Sequence, residues 1–298
     1  MDNTDKQTAG PVDRLKSVPA LKTFADQAEL ILTGGHRNSF WDCETAFKAL
    51  LASGFVIDLL NSELDLMCSS NAYIPVGGSS EIDMGVLLKD NFSLWLKLLE
   101  PGMKLSDKLF STTEDLMVAL IDFQGTGALK MEAFEQPHPF PNNIPEKHGP
   151  LIRGNKTELQ AGEIYRIRAA ADIFRIVSVD KPVLLLTFSS VCRVPLRWEY
   201  SRETWLPQRA TASSARSSRI TYVAELLGEI GESSSVPVLL SLATHEDHYV
   251  RWAMIQNIFR LDQQEGLRLL EKALTDVHPH IRKAARLSIG TIRSLNNN

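Results

Sequence analysis

The chain has 298 residues, 44% hydrophobic and 23% charged, with a formal charge of -4. That balance gives no electrostatic pull toward nucleic acid or an anionic membrane, and the length allows a sizeable core shared between two domains. Cys43, Cys68 and Cys192 are scattered thiols, which argues against a disulfide framework and for a reducing compartment.

The opening MDNTDKQTAG is polar and lacks the apolar stretch of a signal peptide. No apolar run approaches the ~20 residues of a membrane span. The expectation is a cytoplasmic protein, with residues 1–18 disordered.

Two helical patterns follow within 19–70. Leu21, Phe24, Ala28 and Ile31 share a face from Val18 to Leu32, and Gly34-Gly35 stops that helix. The second pattern runs from Cys43 toward Met67 and is interrupted by Gly54. Both are expected to pack on the outside of the next domain or to form a dimer contact.

Over 71–207 the period changes to two. Residues 92–99, 116–123, 163–167 and 183–188 are β-rich, with turn signals at Pro101-Gly102, Gly125, Gly162 and Lys181-Pro182. Many short strands in one stretch predict a sandwich or closed jelly roll. Prolines 137, 139, 141, 145 and 150 make 136–155 a long loop.

Residues 208–218, QRATASSARSS, have a linker's composition. Over 219–298 the pattern is helical and repeats. Leu227-Gly-Glu-Ile230, Ile258-Phe-Arg-Leu261 and Ile289-Gly-Thr-Ile292 superpose at an offset of 31 residues. Helix pairs of this period cannot bury their apolar faces alone, so they stack into a solenoid.

Tyr249-Val-Arg251-Trp-Ala253 and His280-Ile-Arg282-Lys-Ala284 resemble the first-helix signature of HEAT repeats. The opening repeat departs from it, with Ile220 at the arginine position. Leu98-Leu-Glu-Pro-Gly102 with Leu120-Ile-Asp-Phe-Gln-Gly125 resembles the first cupin motif, and Gly162 through Ile173 resembles the second. The resemblance implies imidazole ligands at both motifs, yet no histidine lies between His36 and His138 or between His148 and His245.

Depending on register, the first histidine pair falls among Ser111, Thr112, Thr113 and Glu114, or on Lys108 and Phe110; in the second motif Ile173 replaces the histidine, with Asp172 beside it. The fold class is therefore α+β multidomain: N-terminal helices, a cupin-like jelly roll and a C-terminal HEAT-like α-solenoid.

Three functions are open. The first is a non-catalytic module without cofactor or metal, which binds a protein through its repeats or a small ligand in its barrel. Its candidate ligand residues are Lys108, Glu114, Arg168, Asp172, His138 and His148, and its candidate partner anchors are Arg251 and Trp252. The second is a cupin-type metal-dependent oxygenase or isomerase with a non-standard site built from Glu114, Asp172, His138 or His148. The third is a degenerate cyclic-nucleotide-binding sensor, suggested by Ala161-Gly-Glu163 and Phe174-Arg175.

Arg166, Arg168, Arg175 and Lys108 could make a basic barrel mouth, although by alternation Arg166 and Arg168 fall on the solvated side. His245-Glu-Asp247 reads as a helix start capped by Asp247. Nine basic and nine acidic residues over 218–298 balance, which disfavours nucleic acid and suits a protein partner. A homodimer is expected by analogy with cupins.

Overall fold

The structure is a computed structural model and describes residues 11–34, 39–69, 83–103, 109–122, 127–137 and 148–296. The chain divides into two compact units, Met1–Thr211 and Ala212–Asn298.

Four helices open the first unit: α1 (Pro11–Ser17), α2 (Pro19–Thr33), α3 (Glu44–Ala52) and α4 (Phe55–Ser69). The single helix expected from Cys43 to Met67 is two helices, because Gly54 takes φ of +68° and breaks it. Within the stretch expected to be disordered, residues 11–17 are helical. Arg14 there is 2% exposed, held by Glu63 of α4 and by the carbonyls of Gly85 and Val86. A buried guanidinium is stable only with such partners, and sequence spacing does not reveal them.

The strands are β1 (Asp83–Leu88), β2 (Phe92–Leu99), β3 (Leu109–Phe110), β4 (Glu114–Ile121), β5 (Ala128–Glu135), β6 (Ile152–Gln160), β7 (Ile164–Ile167), β8 (Asp172–Val179), β9 (Val183–Cys192), β10 (Leu196–Tyr200) and β11 (Pro207–Ala212). β6 starts inside the stretch expected as a loop, so Ile152–Asn155 are strand. Lys108, His138 and residues 138–147 lie outside the described residues.

β2 pairs with β9, β4 with β7 and β5 with β6, while β3 runs beside β8. The chain is thus one long hairpin wound on itself, its first barrel strand beside its last and its middle strands adjacent. This is the jelly-roll topology. The two sheets run β1-β2-β9-β4-β7 and β6-β5-β8, with a third ribbon β11-β10-β3.

Alternation divides the first sheet into two faces. Met117, Ala119, Leu186 and Phe188 pack against the N-terminal helices. There Phe188 is ringed by Phe24, Phe40, Phe47 and Phe92, with centroids 4.7–5.7 Å away. Val118, Leu120, Val183 and Leu185 point the other way and meet Leu129, Met131 and Leu159 of the second sheet. The barrel interior is filled by these apolar side chains.

The stretch expected as a linker, 208–218, is mostly ordered secondary structure. β11 pairs with β10, and α5 (Ala215–Ile230) begins two residues after β11, with Ser214 accepting a hydrogen bond from the Ser217 amide. The second unit continues with α6 (Val236–Leu242), α7 (His248–Leu261), α8 (Gln263–Ala273) and α9 (Pro279–Asn296). These form two helix pairs and a final helix around Leu239, Met254, Ile258, Leu270 and Ile281. Glycine permits two close approaches: a Cβ on Gly228 would come 2.3 Å from Asn257 Oδ1, and one on Gly266 2.3 Å from the Phe259 Cα.

Candidate functional site

In the first unit the candidate residues fall where β3, β4, β7 and β8 end. The hairpin between β7 and β8 turns through Ala170, at φ of +59°. Asp172 closes it: its carboxylate accepts from the Arg168 amide at 2.7 Å, from Nε at 2.9 Å and from Nη2 at 2.7 Å. This pairing raises the Arg168 guanidinium above its ordinary value.

Ser111 Oγ accepts from the Trp198 amide at 2.8 Å. Thr112 donates to the Asp172 carbonyl at 2.8 Å, and Thr113 to the Glu114 carboxylate at 2.8 Å. Asp115 accepts from the Ala169 amide at 2.9 Å and from Arg193 at 3.2 Å. Burial, then the nearby Asp172 and Glu135, push the Tyr165 phenol up, so it stays protonated and is a poor proton donor.

A cupin metal centre would need neutral imidazoles with carboxylate support. The donors present here are hydroxyls tied to backbone or carboxylate, and carboxylates tied to arginine, backbone or hydroxyl. They do not fit that group. Among the described residues, no three His, Cys, Asp or Glu side chains gather as metal ligands.

Of the candidate ligand residues that are described, the structure brings together only Arg168 and Asp172. His148 lies against β10, its Nε2 3.0 Å from the Tyr200 hydroxyl and its ring edge-on to Trp198 at 5.1 Å. Tyr200 also accepts from Gln136 at 2.7 Å; burial raises its phenol, against that hydrogen bond.

Nor do the basic residues expected at a barrel mouth converge. Arg166 pairs with Glu44 and stands 5.7 Å over the Trp41 ring. Arg175 points to the opposite face of β8 from Phe174. There, with Arg153, it flanks the fully buried Glu132. Burial alone would raise that carboxyl, but hydrogen bonds from the two arginines bring it below the carboxylate range. Alternation along β5 hid this trio, because bulges on both sides of the strand shift its register.

A nucleotide cassette would need a short helix after Gly162. The chain has strand β7 and a hairpin turn instead.

In the second unit Arg251 is buried rather than offered to a partner. Its Nη1 donates to the carbonyls of His245 and Glu246 at 2.8 and 2.9 Å, while Nε and Nη2 grip Asp276 at 3.0 and 2.7 Å. Arg282 repeats half of this, with Nη1 on the carbonyls of Asp276 and Val277 at 2.7 and 2.9 Å.

Asp276 also accepts from the His278 amide at 2.7 Å, and His245 Nδ1 accepts from the Asp247 amide at 3.0 Å. Position 245 faces no arginine from the repeat before it, since Ile220 stands there. Asp247 occupies the cap position of α7 without a side-chain cap. It instead accepts from Ser217 at 2.6 Å and Tyr249 at 3.1 Å. Trp252 is half-buried against the helical core. A groove of about 520 Å³ runs past α6 and α8, lined by Leu240, Ile255, Arg268, Lys272 and Val277 among others.

The strand pairing makes the first unit a cupin-like jelly roll, and the second unit is a short HEAT-like array. A family model described as HEAT repeats matches residues 205–294. No significant match was found among curated proteins.

Solved structures similar to the chain include a putative mannose-6-phosphate isomerase from Ralstonia eutropha JMP134, at 13% identity and TM-score 0.26, covering 40% of this chain and 92% of that one. Another is hydroquinone 1,2-dioxygenase from Sphingomonas sp. TTNP3, at 13% and 0.28, covering 40% and 71%. A third is an RmlC-like cupin from Methanocaldococcus jannaschii, at 9% and 0.26, covering 39% and 85%. No helix among the described residues is long and apolar enough to cross a membrane.

Proposed function

We propose that this chain is a non-catalytic binding protein, its HEAT-like repeats holding a protein partner and its jelly roll acting as scaffold. The observation that carries this is the state of the strand ends where a cupin gathers its ligands. There Ser111, Thr112, Thr113, Glu114, Asp115 and Asp172 are each engaged within the chain, and the space between the sheets is occupied by Val118, Leu120, Leu129, Met131 and Leu185.

The repeat unit supports the partner half of the reading. Its balanced charge and its groove suit a polypeptide rather than a polyanion. The three cysteines are free, and burial, aided by Asp42, pushes the Cys43 thiol up to about 11.

The test is elemental analysis of the chain purified without chelators. The expected result is far less than one equivalent of iron, zinc, nickel or manganese, and no rise in melting temperature when these are added. One retained equivalent, lost on Glu114→Ala or Asp172→Ala substitution, would overturn the proposal in favour of a metal-dependent oxygenase or isomerase.

A further inference from the structure

The three first-position helices of the HEAT-like array, α5, α7 and α9, bury the same positions unequally. Val250 and Met254 of α7 are fully buried, as are Ile281 and Ala285 of α9 to within 2%. The residues 31 positions earlier in α5 are Arg219 and Val223, and both are exposed. Tyr222, Val223, Leu226 and Ile230 are 62%, 52%, 44% and 72% exposed, and Val238 of α6 is 54% exposed.

In the second repeat this face is covered by the helix before it: α7 packs on α5, with Asn257, the counterpart of Leu226, seated against Gly228. In α5, among the described residues, the same face has no helix of the repeat unit upon it. It forms an apolar groove of about 400 Å³ floored by Ile220, Val223, Val238 and Leu242, with Arg216 and Arg219 also lining it.

The arginines indicate the charge of what fits. Position 219 is apolar in the next two repeats, as Val250 and Ile281. Arg216 and Arg219 stand in the first two turns of α5, where the helix dipole disfavours positive charge and no acidic residue offsets it. Among the described residues neither has a carboxylate partner. A second copy stacked head to tail would bring α9, with Lys283, Arg286 and Arg293, toward charges of like sign.

We propose that the exposed face of α5 and α6 is the docking surface for an acidic amphipathic helix of a partner protein. The partner's apolar stripe lies over Val223, Leu226 and Val238, and its carboxylates meet Arg216 and Arg219. The proposal rests on the reading of the repeats as a protein-binding array, and it names which surface of the array binds and what it binds.

The experiment uses the full chain and three fluorescein-labelled synthetic helices, read by fluorescence anisotropy. One helix has a leucine stripe flanked by glutamates, the second replaces glutamate with lysine, and the third scrambles the first. The acidic helix is expected to bind saturably and the other two not. Leu226→Glu should weaken binding at least tenfold, and Arg216→Glu with Arg219→Glu should shift preference to the lysine helix. All three side chains are exposed, and circular dichroism checks that each variant is folded.

Binding indifferent to these substitutions would overturn this surface while leaving a protein-binding array in place. No binding by any helix overturns the surface alone, because the array has a second groove past α6 and α8 that these substitutions do not touch. If sedimentation shows a dimer that Leu226→Glu makes monomeric, the occupant is a second copy and the acidic helix is excluded.

Discussion

Arg14 shows how one side chain can join three elements. It carries a full charge into the helical layer and meets Glu63 and two β1 carbonyls. Deleting one member of such a pair leaves the other charge buried and uncompensated, which costs about 3–5 kcal/mol. Arg14→Ala is therefore expected to lose about that much stability in urea unfolding. Arg14→Met combined with Glu63→Leu should recover most of it, since an apolar pair of similar volume is often neutral. If the double variant loses as much as the two single variants together, the ion pair is not what the site depends on. Sequence reading missed Arg14 because its partners lie far along the chain. It found the Arg168–Asp172 pair as two candidate ligands, although a four-residue spacing beside Gly162 and Ala170 is also what a hairpin turn looks like.

At the level of elements, what the sequence revealed followed from local periodicity. The face of α2, the β-rich segments and the 31-residue recurrence are all patterns contained in a short window. Features set by distant pairing were hidden. β3 is only Leu109–Phe110, too short to alternate visibly, and Pro207–Ala212 has a linker's residues yet pairs as an edge strand with β10. The α7–α8 crossing provides a sharp test of packing against propensity. Gly266→Ala should favour α8 by about 1 kcal/mol on helix propensity alone. Its Cβ, however, would meet the Phe259 backbone at 2.3 Å, which is contact that cannot yield cheaply. The expected outcome is net destabilisation of about 2 kcal/mol, read by helical signal against urea. A variant as stable as the parent would mean that the two helices can separate without loss.

On the scale of the whole molecule, the helical unit should be sensitive to acid. The His248 ring stacks on His278 with centroids 3.7 Å apart. Burial first, then the charges of His278, Arg251 and His280, lower its pKa to about 4, with Asp247 opposing. The unfolded chain takes up this proton near the ordinary value of about 6.5. Between those two values the unfolded state binds more protons, so stability is fully present above pH 6.5 and declines as pH falls toward 4. The loss attributable to this ring is on the order of 3 kcal/mol. Unfolding measured from pH 7 to 4 should show a slope that His248→Gln flattens, and an unchanged slope would remove His248 as its source.

The forward reach of Arg251 to Asp276 has a consequence for growth of the array. Arg251 satisfies the turn preceding its own helix and a carboxylate at the next turn, so donor and acceptor travel together within a 31-residue block. A tandem duplication of residues 246–276 would carry its own matched pair and leave the flanking joints unaltered. Lengthening by whole blocks is thus compatible with the wiring of this unit, whereas a gain or loss of part of a block would strand a charge.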